Sequence, residues 1–181
     1  MKNIAIFASG SGTNAENIAR YFANSENVNV AVVLSNNRNV GVHGRVNKLG
    51  VPSFVFSREE FIAGVPILEK LAEYDVCLIV LAGFMNKISD VILQAFPGKI
   101  VNIHPALLPK YGGMHVHEAV VKAGERESGI TIHYINEHYD EGAIIFQASC
   151  PVLPSDTPEE VASKVHALEY AHYPHVIESL L

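Results

Sequence analysis

The segment Val76-Cys77-Leu78-Ile79-Val80-Leu81 constrains the fold more than any other part of this chain. It is apolar throughout and shows no alternation, so a strand built from it must be covered on both faces. Helices packed on both sides of a parallel sheet provide that cover. The rest of the chain keeps the matching rhythm. Ile4–Ala8, Val28–Leu34, Ser53–Phe56 and Ile100–Ile103 read as further strands. Asn14–Ala23, Gly41–Leu49, part of Arg58–Tyr74 and Asp90–Phe96 read as the intervening helices. Gly50 before Val51-Pro52 stops the second helix, and Gly64-Val65-Pro66 divides the third helical stretch into two pieces. Connections long enough to cross over predict an α/β fold with a doubly wound, mostly parallel sheet.

After residue 125 the rhythm changes. Gly129–Ile135 and Ala143–Val152 are strand-like runs joined by a polar turn, which predicts a C-terminal antiparallel ribbon extending the sheet. Thr157 can cap a closing helix, with Pro158 at its first position and Glu159 and Glu160 at the positive end of its dipole. That helix is expected to reach about Tyr173, with Pro174 kinking or breaking it. No repeat, linker or low-complexity tract interrupts the 181 residues, so residues 1–181 are expected to form a single domain. A formal charge of −6 gives no general attraction for nucleic acid or anionic lipid, so any bound anion must be held by a local device. Two cysteines, Cys77 within the apolar run and Cys150 without a neighbour at metal spacing, suggest a reducing compartment. Cys77 is expected to be a buried thiol. With no signal-like segment at the N-terminus, the expected location is the cytoplasm.

Ser9-Gly10-Ser11-Gly12-Thr13-Asn14-Ala15 follows the first strand and opens a helix. Glycines allow a tight turn there, and the free N–H groups of the helix start can face an anion. The pattern is also compatible with a plain strand-to-helix turn. A dinucleotide fold would place an acidic residue at the end of the second strand, but that strand ends Leu34-Ser35-Asn36-Asn37-Arg38. A monophosphate ligand is therefore preferred, with Lys110 as a further charge.

The chemistry is expected at Val101-Asn102-Ile103-His104-Pro105. Residues two apart on a strand share a face, so Asn102 and His104 present an amide and an imidazole side by side. Pro105 leaves both at the carboxyl edge of the sheet, where open α/β folds bind ligands. This pair suits chemistry in which a carbonyl oxygen gains negative charge, although polar residues closing a strand end can look the same. Asp140, in the turn before Glu141-Gly142, would orient and favour a charged His104 if it came near, but its spacing also fits ordinary turn chemistry. No G-x-S-x-G elbow or convincing cysteine nucleophile is present. The histidines, among them His115, His117, His133 and His138, lack a zinc spacing, and no metal is expected.

Taken in order, four segments carry a more specific signal: Ser9–Asn14, Leu81-Ala82-Gly83-Phe84-Met85, Asn102–Tyr111 and Tyr139-Asp140-Glu141-Gly142. From Ile4 to about Ile177 the chain resembles the glycinamide ribonucleotide (phosphoribosylglycinamide) formyltransferases, folate-dependent enzymes of purine synthesis with a Rossmann-like fold. The resemblance implies transfer of a formyl group from 10-formyltetrahydrofolate, as cosubstrate, to the amine of glycinamide ribonucleotide. It implies that Gly12, Thr13 and Asn14 form the phosphate turn and that Glu169 holds the substrate ribose. It implies catalysis by Asn102 and His104, with Asp140 raising the pKa of the histidine. Folate contacts are implied for Arg58, for Met85, Asn86, Lys87 and Ile88, and for Asn136, Glu137, His138, Tyr139 and Asp140. The chain departs from the family pattern at Asn86-Lys87, where an arginine usually follows Phe-Met, at Ala106 in place of Ser, at Gly112-Gly113, and at Glu141 in place of Gly. Formylation of initiator tRNA would require a further C-terminal domain and a basic surface, and formyl-folate hydrolysis an N-terminal regulatory domain. A noncatalytic nucleotide-binding module would leave Asn102, His104 and Asp140 without a role.

Overall fold

The computed structural model describes residues 1–138 and 140–181. Strands and helices alternate as β1 (Lys2–Phe7), α1 (Thr13–Phe22), β2 (Val28–Ser35), α2 (Gly41–Asn47), β3 (Ser53–Val55), α3 (Arg58–Ala63), α4 (Val65–Glu73), β4 (Val76–Leu81), α5 (Asp90–Ala95) and β5 (Ile100–His104). Then come α6 (Val116–Lys122), β6 (Glu127–Tyr134), β7 (Ile144–Pro151) and α7 (Pro158–Ser179). One seven-stranded sheet has the order β3-β2-β1-β4-β5-β6-β7. The first five strands of that order are parallel, whereas β6 pairs antiparallel with both β5 and β7. The predicted sheet and ribbon are both present.

Apolar side chains explain the layering. In β4, Leu78 and Val80 point into one core and Ile79 and Leu81 into the other, so the unbroken run is covered on both faces. The first core is closed by α1, α2, α6 and α7, and the second by α3, α4 and α5. Gly64, at φ 76°, separates α3 from α4, as the Gly-Val-Pro step predicts. The connections run outward from β1 in both directions, which opens a crevice at the carboxyl ends of β1 and β4. There the N–H of Ser9 donates to the Gly83 carbonyl at 3.1 Å, tying the loops after the two strands together.

Two expectations need correction, and one element was not expected at all. The closing helix does not stop at Tyr173, because α7 continues through Pro174 to Ser179. Proline leaves the carbonyl four residues back without its helical donor, and here Asn17 of α1 supplies one, Nδ2 donating to Tyr170 O at 3.1 Å. Burial of Tyr173, Pro174 and Ile177 holds that last turn against the sheet. Cys77 is only half-buried, with its thiol donating to the Asn3 carbonyl. The short α6 starts from His115 in the left-handed conformation with no side-chain cap, so nothing in the sequence announced it. No helix among the described residues is long and apolar enough to cross a membrane.

Candidate active site

The turn after β1 is held from behind by α2. Val42 N–H donates to the Gly10 carbonyl at 3.3 Å, and Arg45 Nε donates to the Ser11 carbonyl at 3.0 Å. Gly12 takes the left-handed conformation (φ 76°, ψ 22°) immediately before α1. That turn and helix start carry the N–H groups suited to an anion. Asn14 is buried and joins this turn to α7, its Nδ2 donating to Glu169 Oε2 at 3.4 Å, while its Oδ1 has no partner among the described residues. Glu169 also meets His166 Nδ1 at 2.9 Å, and this bond raises the His166 pKa above its ordinary value. The expected phosphate and ribose residues Gly12, Thr13, Asn14 and Glu169 thus lie where α1 packs on α7. Lys110 is engaged elsewhere: its ammonium pairs with Glu125 at 3.3 Å and its side chain is exposed.

Asn102 and His104 share a face of β5, as their spacing predicts, and pair across the ladder with His133 and Thr131 of β6. Asp140 reaches them from the following turn in a left-handed backbone conformation (φ 53°). Its Oδ2 lies 3.5 Å from His104 Nδ1 and accepts the Gly113 N–H at 3.0 Å, and its Oδ1 lies 3.7 Å from His133 Nε2. Both side chains of the His104–Asp140 pair are almost fully buried. His104 Nε2 is not open in this structure, because it donates to the Tyr111 carbonyl at 2.7 Å. The hydroxyl of buried Tyr173 donates to the Leu81 carbonyl at 2.9 Å and lies 3.3 Å from that of Val101, tying the end of β4 to the first half of β5.

A narrow cleft adjoins the constellation, lined by Leu81, Phe84, Asn86, Lys87, Ile88, Asn102, Ile135, Asn136, His138 and Asp140. Six of the expected folate positions are on its wall: Asn86, Lys87, Ile88, Asn136, His138 and Asp140. Met85 is exposed at the rim, with its N–H donating to Ser9 Oγ. Arg58 is exposed at the start of α3 and Glu137 pairs with His138, both outside the lining. Tyr139 lies outside the described residues. A more open hollow at the opposite edge of the sheet, near Asn3, Asn29 and Glu73, holds none of the expected site residues. Among the described residues no three His, Cys, Asp or Glu side chains are gathered as a metal site would require.

Sequence reasoning passed over His133 and the Tyr111 carbonyl. His133 was only one histidine among several, and the one available signal was its place at the inner end of β6. A backbone carbonyl carries no sequence signal at all.

Comparison with known proteins agrees with this geometry. The formyl transferase family pattern matches residues 2–177. A phosphoribosylglycinamide formyltransferase of Haemophilus influenzae is 38% identical over 98% of this chain and 86% of its own length. The trifunctional purine biosynthetic protein adenosine-3 of Drosophila melanogaster is 36% identical over 99% of this chain, which spans 14% of that longer protein. The crystal structure of glycinamide ribonucleotide transformylase 1 from Geobacillus kaustophilus superposes with a TM-score of 0.94 at 36% identity, covering 100% of this chain and 99% of that one. An α/β sheet with an amide, an imidazole and a carboxylate at its carboxyl edge, matched along almost its whole length, belongs to the formyl transferase family, and the chain is a formyl-transferring enzyme.

Proposed function

We propose that this enzyme transfers the formyl group of 10-formyltetrahydrofolate to the primary amine of glycinamide ribonucleotide, a step of de novo purine (IMP) synthesis. The observation that carries the reading is the cleft walled by the expected folate positions, which Asn102 and Asp140 also line and against which His104 stands through Asp140, 3.5 Å from its Nδ1. The cleft suits a flat bicyclic donor: Leu81, Phe84, Ile88 and Ile135 offer apolar walls, and Asn86, Lys87, Asn136 and His138 offer polar edges. When bound, the folate supplies a formyl carbon activated by attachment to nitrogen. The turn at Gly12, Thr13 and Asn14 holds the phosphate of the acceptor, and Glu169 grips its ribose.

Asn102 presents an amide N–H, and His104 an imidazole N–H, to the formyl oxygen as it gains negative charge. His104 Nε2 reaches that oxygen by exchanging it for the Tyr111 carbonyl it now faces. Asp140 faces the other ring nitrogen, fixes the ring and offsets the positive charge of the imidazolium. The amine nitrogen bonds to the formyl carbon, the bond from that carbon to the folate nitrogen breaks, and the released nitrogen takes a proton. A water beside Asp140 relays the proton that the amine gives up. On this reading residues 1–181 act as one domain, the protein works in the cytoplasm, and its partners are small molecules.

The test is incubation with 10-formyltetrahydrofolate, ¹³C-labelled at the formyl group, and glycinamide ribonucleotide. Labelled formylglycinamide ribonucleotide, detected by mass spectrometry, is the expected product. Release of labelled formate alone, or labelling of a different amine in preference, refutes the proposal.

A further inference from the structure

One buried imidazole beside the site has no part in the chemistry above. His133, at the inner end of β6, is fully buried and stands opposite Asn102 in the β5–β6 ladder. Its Nδ1 lies 3.0 Å from the carbonyl oxygen of Tyr134. A carbonyl only accepts, so Nδ1 carries a hydrogen. In the neutral ring Nε2 is then a bare lone pair, and it lies 3.4 Å from Asn102 Nδ2. Only the NH₂ end of the amide can meet a lone pair favourably, because the carbonyl end would oppose it with lone pairs of its own. The imidazole therefore decides which way round the amide of Asn102 sits. One N–H is spent on His133, which leaves the other N–H and Oδ1 for the cleft that Asn102 lines.

We propose that His133 is a positioning residue for formyl transfer: a neutral ring, protonated at Nδ1, that accepts from Asn102 and so aims the second amide N–H at the formyl oxygen. The inference rests on the role proposed for Asn102 above. Two titratable groups face the ring, the carboxylate of Asp140 from the turn after β6 and the imidazole of His104 on β5. Burial and His104 oppose a charged ring, while the bond to the Tyr134 carbonyl and the Asp140 carboxylate favour it; burial dominates and holds the His133 pKa below its ordinary value. A charged ring would place a hydrogen on Nε2. That hydrogen would turn toward Asp140 Oδ1, 3.7 Å away, and repel the amide N–H, so that Asn102 would have to flip.

Two measurements test this. Long-range ¹H–¹⁵N correlation spectra of the whole protein at neutral pH should show His133 protonated at Nδ1 and bare at Nε2. This readout stands even if glycinamide ribonucleotide proves to be the wrong acceptor, so failure of the positioning role is distinguishable from failure of the proposed function. A charged ring, or a ring protonated at Nε2, overturns the proposal. In steady-state kinetics His133→Leu removes the acceptor and should lower kcat about 10–100-fold, less than the roughly 10²–10³-fold for removing an oxyanion donor outright because the donor is misaimed and not deleted, with KM for both substrates within about two-fold. His133→Gln keeps an acceptor oxygen near the place of Nε2 and should recover most of kcat. If His133→Leu fails to fold, the glutamine variant and the spectra still decide. Wild-type turnover in His133→Leu, or turnover in folded His133→Gln as low as a packing defect would leave it, overturns the proposal.

Discussion

Replacing Gly12 by alanine tests both the fold of the phosphate turn and its assignment. The residue sits at φ 76°, where an L side chain costs about 1–2 kcal/mol. A Cβ there would lie 2.4 Å from Val42 Cβ and 2.5 Å from both Cα and Cγ2 of Val42. Val42 is fully buried and its N–H is bonded to the Gly10 carbonyl, so α2 cannot retreat without opening the turn. Overpacking of this kind adds about 1–3 kcal/mol, for a combined loss of about 2–5 kcal/mol. At roughly 2–4 °C per kcal/mol for a chain of this size, Tm should fall by about 4–20 °C. Val42→Ala in the same background should restore only part of the loss, because the clash with the α2 backbone remains. The displaced turn should raise KM for the phosphorylated acceptor about ten-fold or more. Folate affinity, read by fluorescence titration, should stay within about two-fold, since none of the turn lines the folate cleft. Unchanged Tm would refute the steric argument. Lost folate affinity with normal acceptor binding would refute the assignment of the turn.

Other consequences are separable. Asp140→Asn keeps the shape but removes the charge facing His104, and should lower kcat by about 10²-fold or more with little change in KM; near-normal turnover would reduce Asp140 to a residue of its turn. Asn17→Leu removes the donor to Tyr170 O and should cost about 1 kcal/mol by denaturant unfolding, a loss absent if water replaces the amide. His166 has its pKa raised by Glu169, so the stability from this pair is fully present below about pH 6.5 and disappears as pH rises through the higher folded value. The ring is half exposed, which keeps that contribution small; His166→Ala should remove this part of the pH dependence and leave that of the buried histidines, and a profile unchanged from wild type would show that the pair contributes nothing. The proposed chemistry uses no metal, so dialysis against a strong chelator should leave turnover intact, and activity restored by added zinc or magnesium would contradict it.

What the sequence discloses, and what it hides, divides along the range of the interactions. The two-faced burial of β4, the glycine break between α3 and α4, and the capping box of Thr157 and Glu160 are written within a few residues of where they act. Asn102 and His104 share a face for the same reason, since strand geometry alone aligns them. Features that depend on a distant partner were not legible. Pro174 reads as a helix break from its neighbours, and the continued helix depends on burial against the sheet and on Asn17, far away in α1, which supplies a donor to the Tyr170 carbonyl. Asp140 shows both sides of this divide. Its left-handed backbone is the turn residue that spacing suggests, while its carboxylate faces His104 and His133, which lie on two different strands. A residue can therefore satisfy its local rule completely and still face the candidate site, so a good local explanation is no argument against the catalytic role proposed for it. Lys110, expected only as a further charge for a phosphate, has that charge paired with Glu125 instead. His133 completes the pattern. Its neighbours along the chain mark only a buried strand, and its chemical consequence arises because the β5–β6 register sets it opposite an amide that must point one way.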